Sequence, residues 1–151
     1  MRRFAGWAGL LVVIAVNLGA CASTVREAPS GPSLYRRLGG REGIALVVAD
    51  FATAMTADPR VSARFKDLKA PEVERFKSNL ADQICEASGG PCSYLGKDMK
   101  AAHTGMKITE AEWTATVENL VKALDKNNVN AQAKQELLGA LGPMKKDIVG
   151  Q

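Results

Sequence analysis

Four stretches of the chain place their apolar residues three or four positions apart, the spacing of one face of an α-helix. These stretches end, in order, at Asp58-Pro59, Gly89-Gly90-Pro91, Asn127-Asn128 and Gly142-Pro143. No useful length of sequence alternates apolar and polar residues with period two. The pattern therefore predicts an all-α domain. The stripes are Ile44, Val47, Val48, Phe51 and Met55; Val73, Phe76, Leu80 and Ile84; Trp113, Val117, Leu120, Val121 and Leu124; and Leu137, Leu138 and Leu141.

A helix-start signal precedes the third stripe. Thr109-Glu110-Ala111-Glu112 has the form of a capping box, in which the Thr109 hydroxyl accepts from the backbone of Glu112 and the Glu112 carboxylate reaches back. We therefore expect this helix to begin at Thr109.

Length and composition suit one compact domain with a short targeting segment. The chain has 151 residues, of which 46% are hydrophobic. Its formal charge of +4 includes Arg2 and Arg3, and without them 18 basic residues face 16 acidic ones. Lys and Arg do not cluster with interleaved aromatic residues, so nucleic acid is not an expected partner.

The first 20 residues have the form of a secretory signal peptide that is removed. Leu18-Gly19-Ala20-Cys21 resembles a lipobox, in which the Cys21 thiol takes a diacylglyceryl group; an ordinary cleaved signal is the alternative. Ala22 after the cysteine favours the outer membrane, so we expect a bacterial envelope protein that is lipid-anchored and faces the periplasm. Residues 21–32 then form a lipidated, flexible tether, and residues 33–151 the folded domain.

Periodicity alone does not say what the domain binds. His103 is the single histidine, so a Ser-His-Asp arrangement with a spare base cannot be assembled. With Cys21 lipidated, Cys85, Cys92 and His103 are too few for a structural zinc site. Cys85 and Cys92 flank Gly89-Gly90-Pro91, and export to an oxidising compartment favours a disulfide between them. Two buried free thiols are the alternative.

Several motifs, in one order along the chain, narrow the function. From Ser33 to Val149 the sequence resembles the group I truncated haemoglobins, and it does so over nearly the whole predicted domain. The matching segments are Ser33-Leu34-Tyr35-Arg36-Arg37-Leu38-Gly39-Gly40, Phe51, Ala57-Asp58-Pro59-Arg60, Phe65, Gly89-Gly90-Pro91 with Tyr94 and Gly96, and Met99-Lys100-Ala101-Ala102-His103-Thr104-Gly105-Met106-Lys107-Ile108-Thr109.

The resemblance implies a truncated two-over-two globin fold and haem b as the cofactor. His103 would be the proximal iron ligand, because a five-coordinate haem iron needs a neutral imidazole on one side. Residues expected to contact the haem are Phe51, Phe65, Phe76, Leu80, Ile84, Met99, Ala102, Ile108 and Trp113. Each of them can equally be read as plain core.

The distal side departs from the family pattern. Many relatives carry a tyrosine directly after the helix-B phenylalanine, whereas this chain has Ala52. The distal pocket is expected to contain Ala52 and, counting back from His103 to the facing helix, Phe76, Leu80 and Gln83, with Ile84 on the same face. Among these only Gln83 is a hydrogen-bond donor, with Asn79 as an outside candidate and Lys77 disfavoured as a sixth ligand by its helical phase.

The resemblance implies reversible binding of O₂ or another diatomic gas, NO or CO, at a pentacoordinate haem iron. One alternative is oxidation of NO to nitrate, which requires an external reductase or electron donor because the sequence contains no reductase domain. Another is a haem or thiol redox sensor that uses Cys85 and Cys92. A binding protein is favoured over an enzyme.

Overall fold

The computed structural model describes residues 31–151. The predicted signal peptide, Cys21 and most of the predicted tether lie outside the described residues. Within the described part, the one β pairing is a single parallel bridge between Ile108 and Val149. The α-helices are α1 (Leu34–Arg37), α2 (Gly40–Ala57), α3 (Ala70–Ala87), α4 (Met99–His103), α5 (Glu110–Lys126) and α6 (Ala131–Leu141), with 3-10 helices at Ser62–Arg64 and Gly142–Asp147.

Side-chain caps explain where several helices begin. The Asp98 carboxylate accepts from the Ala101 backbone (2.8 Å) at the start of α4, and the Asn130 side chain accepts from Ala133 (2.9 Å) at the start of α6. Thr109 caps α5 and forms the predicted capping box with Glu112. The backbone of Gly39 lies in the left-handed region (φ 84°), which allows α1 to turn sharply into α2.

The long helices pack against one another around one hydrophobic core. α2 lies against α3 and α5, while α6 contacts α1 and α3. The predicted stripe of α2 is buried at all five positions, from Ile44 to Met55. In contrast, Phe76 and Leu80 of α3 and Trp113 and Val117 of α5 are only partly buried. These half-buried apolar positions border the cavity described below.

The segment between α3 and α4 is tied down covalently. Cys85 on α3 and Cys92 form a disulfide, with their Cα atoms 5.8 Å apart. The enclosed loop turns at Gly89 (φ 78°), and the Gly90 N–H donates to the Cys85 carbonyl (2.8 Å). The end of α3 is thereby linked to the chain that leads into α4.

The C-terminal segment closes the fold beside α4. The 3-10 helix Gly142–Asp147 contacts α4, and the Gly150 N–H donates to the Ile108 carbonyl (2.9 Å). Among residues 31–151, no helix combines the length and the apolar character needed to cross a membrane.

Candidate functional site

A cavity of about 730 Å³ lies among α2, α3, α4, α5 and the 3-10 helix Gly142–Asp147. That volume falls within the range of about 300–1,000 Å³ typical of small-molecule and cofactor pockets. Sequence reasoning assigned ten of its lining residues to the site: Phe51, Phe65, Phe76, Leu80, Gln83, Met99, Ala102, His103, Ile108 and Trp113.

Two predicted site residues are not on the cavity. Ile84 is buried in the core with 1% of its surface exposed, and Ala52 is buried with 8% exposed. Neither contributes to the cavity lining. The reason is helical phase: successive residues are rotated by about 100° around a helix, so Ile84 and Ala52 turn away from their cavity-lining neighbours Gln83 and Phe51. The cavity lining is formed by these neighbours, and contact of Ala52 and Ile84 with a ligand stays a prediction.

Three phenylalanines form a contiguous aromatic surface at the cavity. The ring of Phe76 lies 5.5 Å from that of Phe65 in an edge-to-face arrangement and 6.4 Å from that of Phe51. Centroid separations in this range are those of favourable aromatic pairs. Phe76 therefore connects α3 to α2 and to the segment after the 3-10 helix Ser62–Arg64.

His103 is the last residue of α4 and lines the cavity. Its Nδ1 atom lies 2.7 Å from the Met99 carbonyl oxygen. Because a carbonyl can only accept, Nδ1 carries a proton, and in the neutral tautomer that this bond selects Nε2 has the lone pair. Many metal-binding histidines have this arrangement, in which the carbonyl fixes both the tautomer and the plane of the ring.

A polar clamp lies just beyond His103. The Arg64 guanidinium donates to the Met106 carbonyl (2.8 Å) and to both carboxylate oxygens of Glu112 (2.7 and 3.1 Å). With the backbone and hydroxyl of Thr109, Arg64 holds the pKa of Glu112 down to about 2. Arg64, Met106 and Glu112 all line the cavity.

The α3 side of the cavity offers two amide side chains, Asn79 and Gln83. The Gln83 amide nitrogen lies 3.3 Å from the Met99 sulfur and 3.6 Å from the Met144 sulfur. Its donor group is thus directed at two thioethers, which are weak acceptors. Lys77 does not line the cavity and pairs with Glu74 (2.6 Å).

Tyr94, which belongs to the second glycine motif, also lines the cavity. Its hydroxyl donates to the Lys97 carbonyl (2.7 Å), which fixes the ring in the loop before α4. Burial raises the pKa of this phenol, and the nearby charge of Asp98 raises it further.

Sequence reasoning missed much of the lining. Val117 and Leu120 of the third stripe and Leu138 and Leu141 of the fourth also line the cavity, but periodicity does not distinguish cavity-lining from core positions. The residues after Gly142 carried no periodic signal because they form a 3-10 helix. The lining residues not assigned to the site from sequence are Met55, Val61, Arg64, Leu68, Asn79, Tyr94, Met106, Glu112, Thr116, Val117, Leu120, Leu138, Leu141, Gly142, Met144, Lys145 and Ile148.

The residues present fit a haem. The cavity surface is predominantly apolar, which suits a flat macrocycle, and His103 contributes an imidazole to the lining whose Nδ1 is already bonded to the Met99 carbonyl. Within residues 31–151 there is no cluster of three or more His, Cys, Asp or Glu side chains that could hold a metal ion without a macrocycle.

Comparison with known proteins gives consistent matches. A protein-family model described as bacterial-like globin matches residues 33–149. A group 1 truncated hemoglobin of Mycolicibacterium paratuberculosis is 32% identical over 116 residues, which are 77% of this chain and 83% of that protein. A second, from Tetrahymena thermophila, is 30% identical over 120 residues, which are 80% of this chain and 97% of that protein.

Solved structures agree with the sequence matches. The truncated hemoglobin of Tetrahymena pyriformis in its Fe(III) form superposes with a TM-score of 0.74 at 28% identity, covering 80% of this chain and all of that one. The 2/2 hemoglobin of a Synechococcus species, solved in the cyanomet state with covalently attached heme, gives 0.71 at 29% identity, covering 78% of this chain and 98% of that one.

Proposed function

Because the chain belongs to the bacterial-like globin family, whose cofactor is haem b, we propose that it reversibly binds a diatomic gas at an iron held by His103. The predictions of a truncated haemoglobin, an all-α globin fold and a haem cofactor are confirmed. We propose three further points: the identity of the iron ligand, the gas that is bound and the cellular location.

One observation carries the role of His103. Its Nδ1–H is occupied by the Met99 carbonyl at 2.7 Å, so Nε2 is the nitrogen available to the cavity. The Asp98 cap holds the first turn of α4, and the Met99 carbonyl lies in that turn. The histidine ring is therefore oriented by its own helix before any ligand arrives, which lowers the entropy cost of binding.

An iron held by His103 in this cavity would supply a site for O₂, NO or CO. The side chains of α2 and α3 decide what surrounds the gas. Phe51, Phe76 and Leu80 line that side and have no polar hydrogen to donate, and the Gln83 amide is engaged with two sulfurs, so Asn79 is the remaining amide donor of α3 on the cavity. Since O₂ gains more than CO from a hydrogen-bond donor, we propose that this pocket binds O₂ weakly relative to CO.

The deciding experiment is an absorption spectrum of the purified protein in the ferric, ferrous and CO-treated states. We expect stoichiometric haem and a spectral response to CO in the wild type. His103→Ala should lose stoichiometric haem or hold it loosely with altered spectra. A His103→Ala variant that keeps the wild-type spectra and haem content would contradict the role of His103.

The matched control is Thr104→Ala. Thr104 follows His103, and its hydroxyl donates to the Lys100 carbonyl (2.7 Å). This variant changes the same end of α4 without removing the imidazole. Its haem content and spectra should remain those of the wild type.

We also propose that the protein is lipid-anchored through Cys21 in a bacterial cell envelope. The proposal rests on the signal-like first 20 residues and the lipobox-like Leu18-Gly19-Ala20-Cys21. The Cys85–Cys92 bond supports it, because disulfides persist mainly in oxidising compartments. Radiolabelled palmitate should label the wild type and not Cys21→Ser. Equal labelling of the two would contradict the anchor.

A further inference from the structure

Arg64 connects three separate segments of the chain at the cavity. It ends the 3-10 helix Ser62–Arg64 and reaches across to the Met106 carbonyl and to Glu112 near the start of α5. Two nitrogens of its guanidinium pair with the two Glu112 oxygens, a geometry that fixes position as well as supplying attraction. The Arg64 side chain is 33% exposed and that of Glu112 only 17%.

The Glu112 end of this contact is itself held rigidly. Its Oε2 atom accepts from the Thr109 backbone N–H (2.8 Å) and from the Thr109 hydroxyl (2.9 Å). Glu112 thus belongs to the capping box of α5, whose helix packs along α2. Arg64 is anchored to the main body of the fold through that carboxylate.

The other end leads directly to the histidine. The Met106 N–H donates to the His103 carbonyl (3.0 Å), while the Met106 carbonyl accepts from Arg64 (2.8 Å). The peptide turn between them needs left-handed backbone at Gly105 (φ 85°), and Lys107 follows with φ 49°. Such a turn depends on its surroundings to stay in place.

From these contacts we infer that Arg64 is a positioning residue: by holding the Met106 carbonyl it fixes the turn bonded to His103, and so the orientation of the imidazole. The inference rests on the proposed role of His103 as the iron ligand. It assigns to Arg64 an effect on the iron–histidine bond that a purely stabilising ion pair would not have.

The chain supplies a matched control in Arg60. Arg60 also pairs with an α5 carboxylate, that of Glu118 (2.8 Å), and with Asp58 (2.7 Å). It does not line the cavity. Removing Arg60 therefore costs a comparable ion pair between the same two regions and leaves the turn after His103 untouched.

The test compares the haem-loaded wild type with Arg64→Met, Arg64→Lys and Arg60→Met. Resonance Raman spectra of the ferrous, ligand-free proteins report the iron–histidine stretching band. Transfer of haem to excess apomyoglobin reports its retention, and thermal unfolding reports stability.

We expect Arg64→Met to displace or broaden the band and to speed haem transfer about tenfold, equivalent to about 1.4 kcal/mol. Arg60→Met should lower thermal stability while its band stays at the wild-type frequency. Lysine cannot reach Glu112 and Met106 together as the guanidinium does. Arg64→Lys should therefore recover part of the thermal stability but keep a displaced band.

An unmoved band in both Arg64 variants overturns the inference, as does an equal displacement in Arg60→Met. If Arg64→Met fails to fold, Arg64→Lys decides by the same criterion. A wild type with no iron–histidine band overturns the proposed role of His103 and the inference together. A normal wild-type band with unmoved Arg64 variants overturns the inference alone.

Discussion

The two walls of the cavity are built in different ways. The helix wall, formed by α2 and α3, consists of two helices of 18 residues each that present apolar side chains and the amides Asn79 and Gln83 to the cavity. The histidine wall, formed by α4 and the turn through Ile108, contains a helix of only five residues, none of them buried. Six residues of α2 are buried. One wall is held by packing, the other by hydrogen bonds and links to neighbouring segments.

This difference separates two properties of the site. If His103 holds the iron as proposed, the histidine wall fixes where that ligand lies, through the Met99 carbonyl, the Asp98 cap and Arg64. The helix wall would then fix what a gas molecule meets, through Phe76 and Leu80. Substitutions in the first should therefore change haem retention, and those in the second should change gas kinetics.

The largest effect should come from removing the imidazole itself. His103→Gly opens a space beside the cavity, and stoichiometric haem should be lost. Added imidazole should restore haem binding because a free imidazole molecule can fill the space and take the place of the missing side chain as the iron ligand. Haem titration with and without imidazole checks this, and retention that does not respond to imidazole would contradict it.

The disulfide joins the end of the helix wall to the segment leading into the histidine wall. Breaking it should lower the free energy of unfolding by about 2–3 kcal/mol, because a short loop is no longer closed in the unfolded chain. Urea unfolding with and without reductant measures the effect. A double variant, Cys85→Ala with Cys92→Ala, should be equally destabilised and insensitive to reductant. A wild type that reductant leaves unchanged would count against the bond.

The helix wall was predictable from sequence to a degree that the histidine wall was not. The stripes of α2, α3, α5 and α6 persist over several turns, so periodicity locates them. Burial against a cofactor and burial against other side chains give the same stripe, so Phe76 and Leu80 could be read either way. The place of His103 came from the family motif rather than from periodicity.

Residues whose role depends on contacts with distant parts of the chain could not be predicted from the sequence. Arg64 meets Met106 and Glu112, which lie 42 and 48 positions away, and no local pattern encodes those pairs. Ile84 and Ala52 lie off the cavity lining because a rotation of one residue along a helix moves a side chain from cavity to core. The family alignment locates a helix better than it locates the direction of each side chain.

Adding a donor to the helix wall should slow oxygen release. Leu80 lines the cavity directly, so Leu80→Gln places an amide beside the gas. A hydrogen bond of about 1.5 kcal/mol would slow dissociation roughly tenfold. Leu80→Met, similar in shape but without a donor, is the control and should stay near wild type. Stopped-flow measurement of oxygen dissociation decides, and already slow release in the wild type would contradict an apolar pocket.

Ala52→Tyr tests the same wall at the position where relatives carry tyrosine. Ala52 is 8% exposed and off the cavity, so the larger ring must first displace its neighbours. Overpacking of this kind typically costs about 1–3 kcal/mol of stability. We expect a smaller slowing of oxygen release than in Leu80→Gln, together with a lower unfolding temperature. Slowing equal to that of Leu80→Gln without loss of stability would show that position 52 faces the gas.

The smallest effect should be a pH dependence located at the histidine wall. Arg64 and Thr109 lower the pKa of Glu112 from 4.5 to about 2. A carboxylate with a depressed folded pKa stabilises the protein fully above its unfolded pKa, and that contribution is lost as the pH falls toward the folded value. Glu112→Gln should therefore reduce the slope of the unfolding free energy against pH between about pH 4.5 and 2. The reduction is at most the slope that corresponds to about one bound proton. The same acid dependence in the wild type and in Glu112→Gln would show that the Arg64–Glu112 pair does not stabilise the fold through its charge.

Asp58→Asn is the control away from the cavity. Asp58 also has a lowered pKa, caused mainly by Arg60, and Arg60 is not on the cavity. Asp58→Asn should therefore reduce the loss of stability at acid pH without altering haem retention.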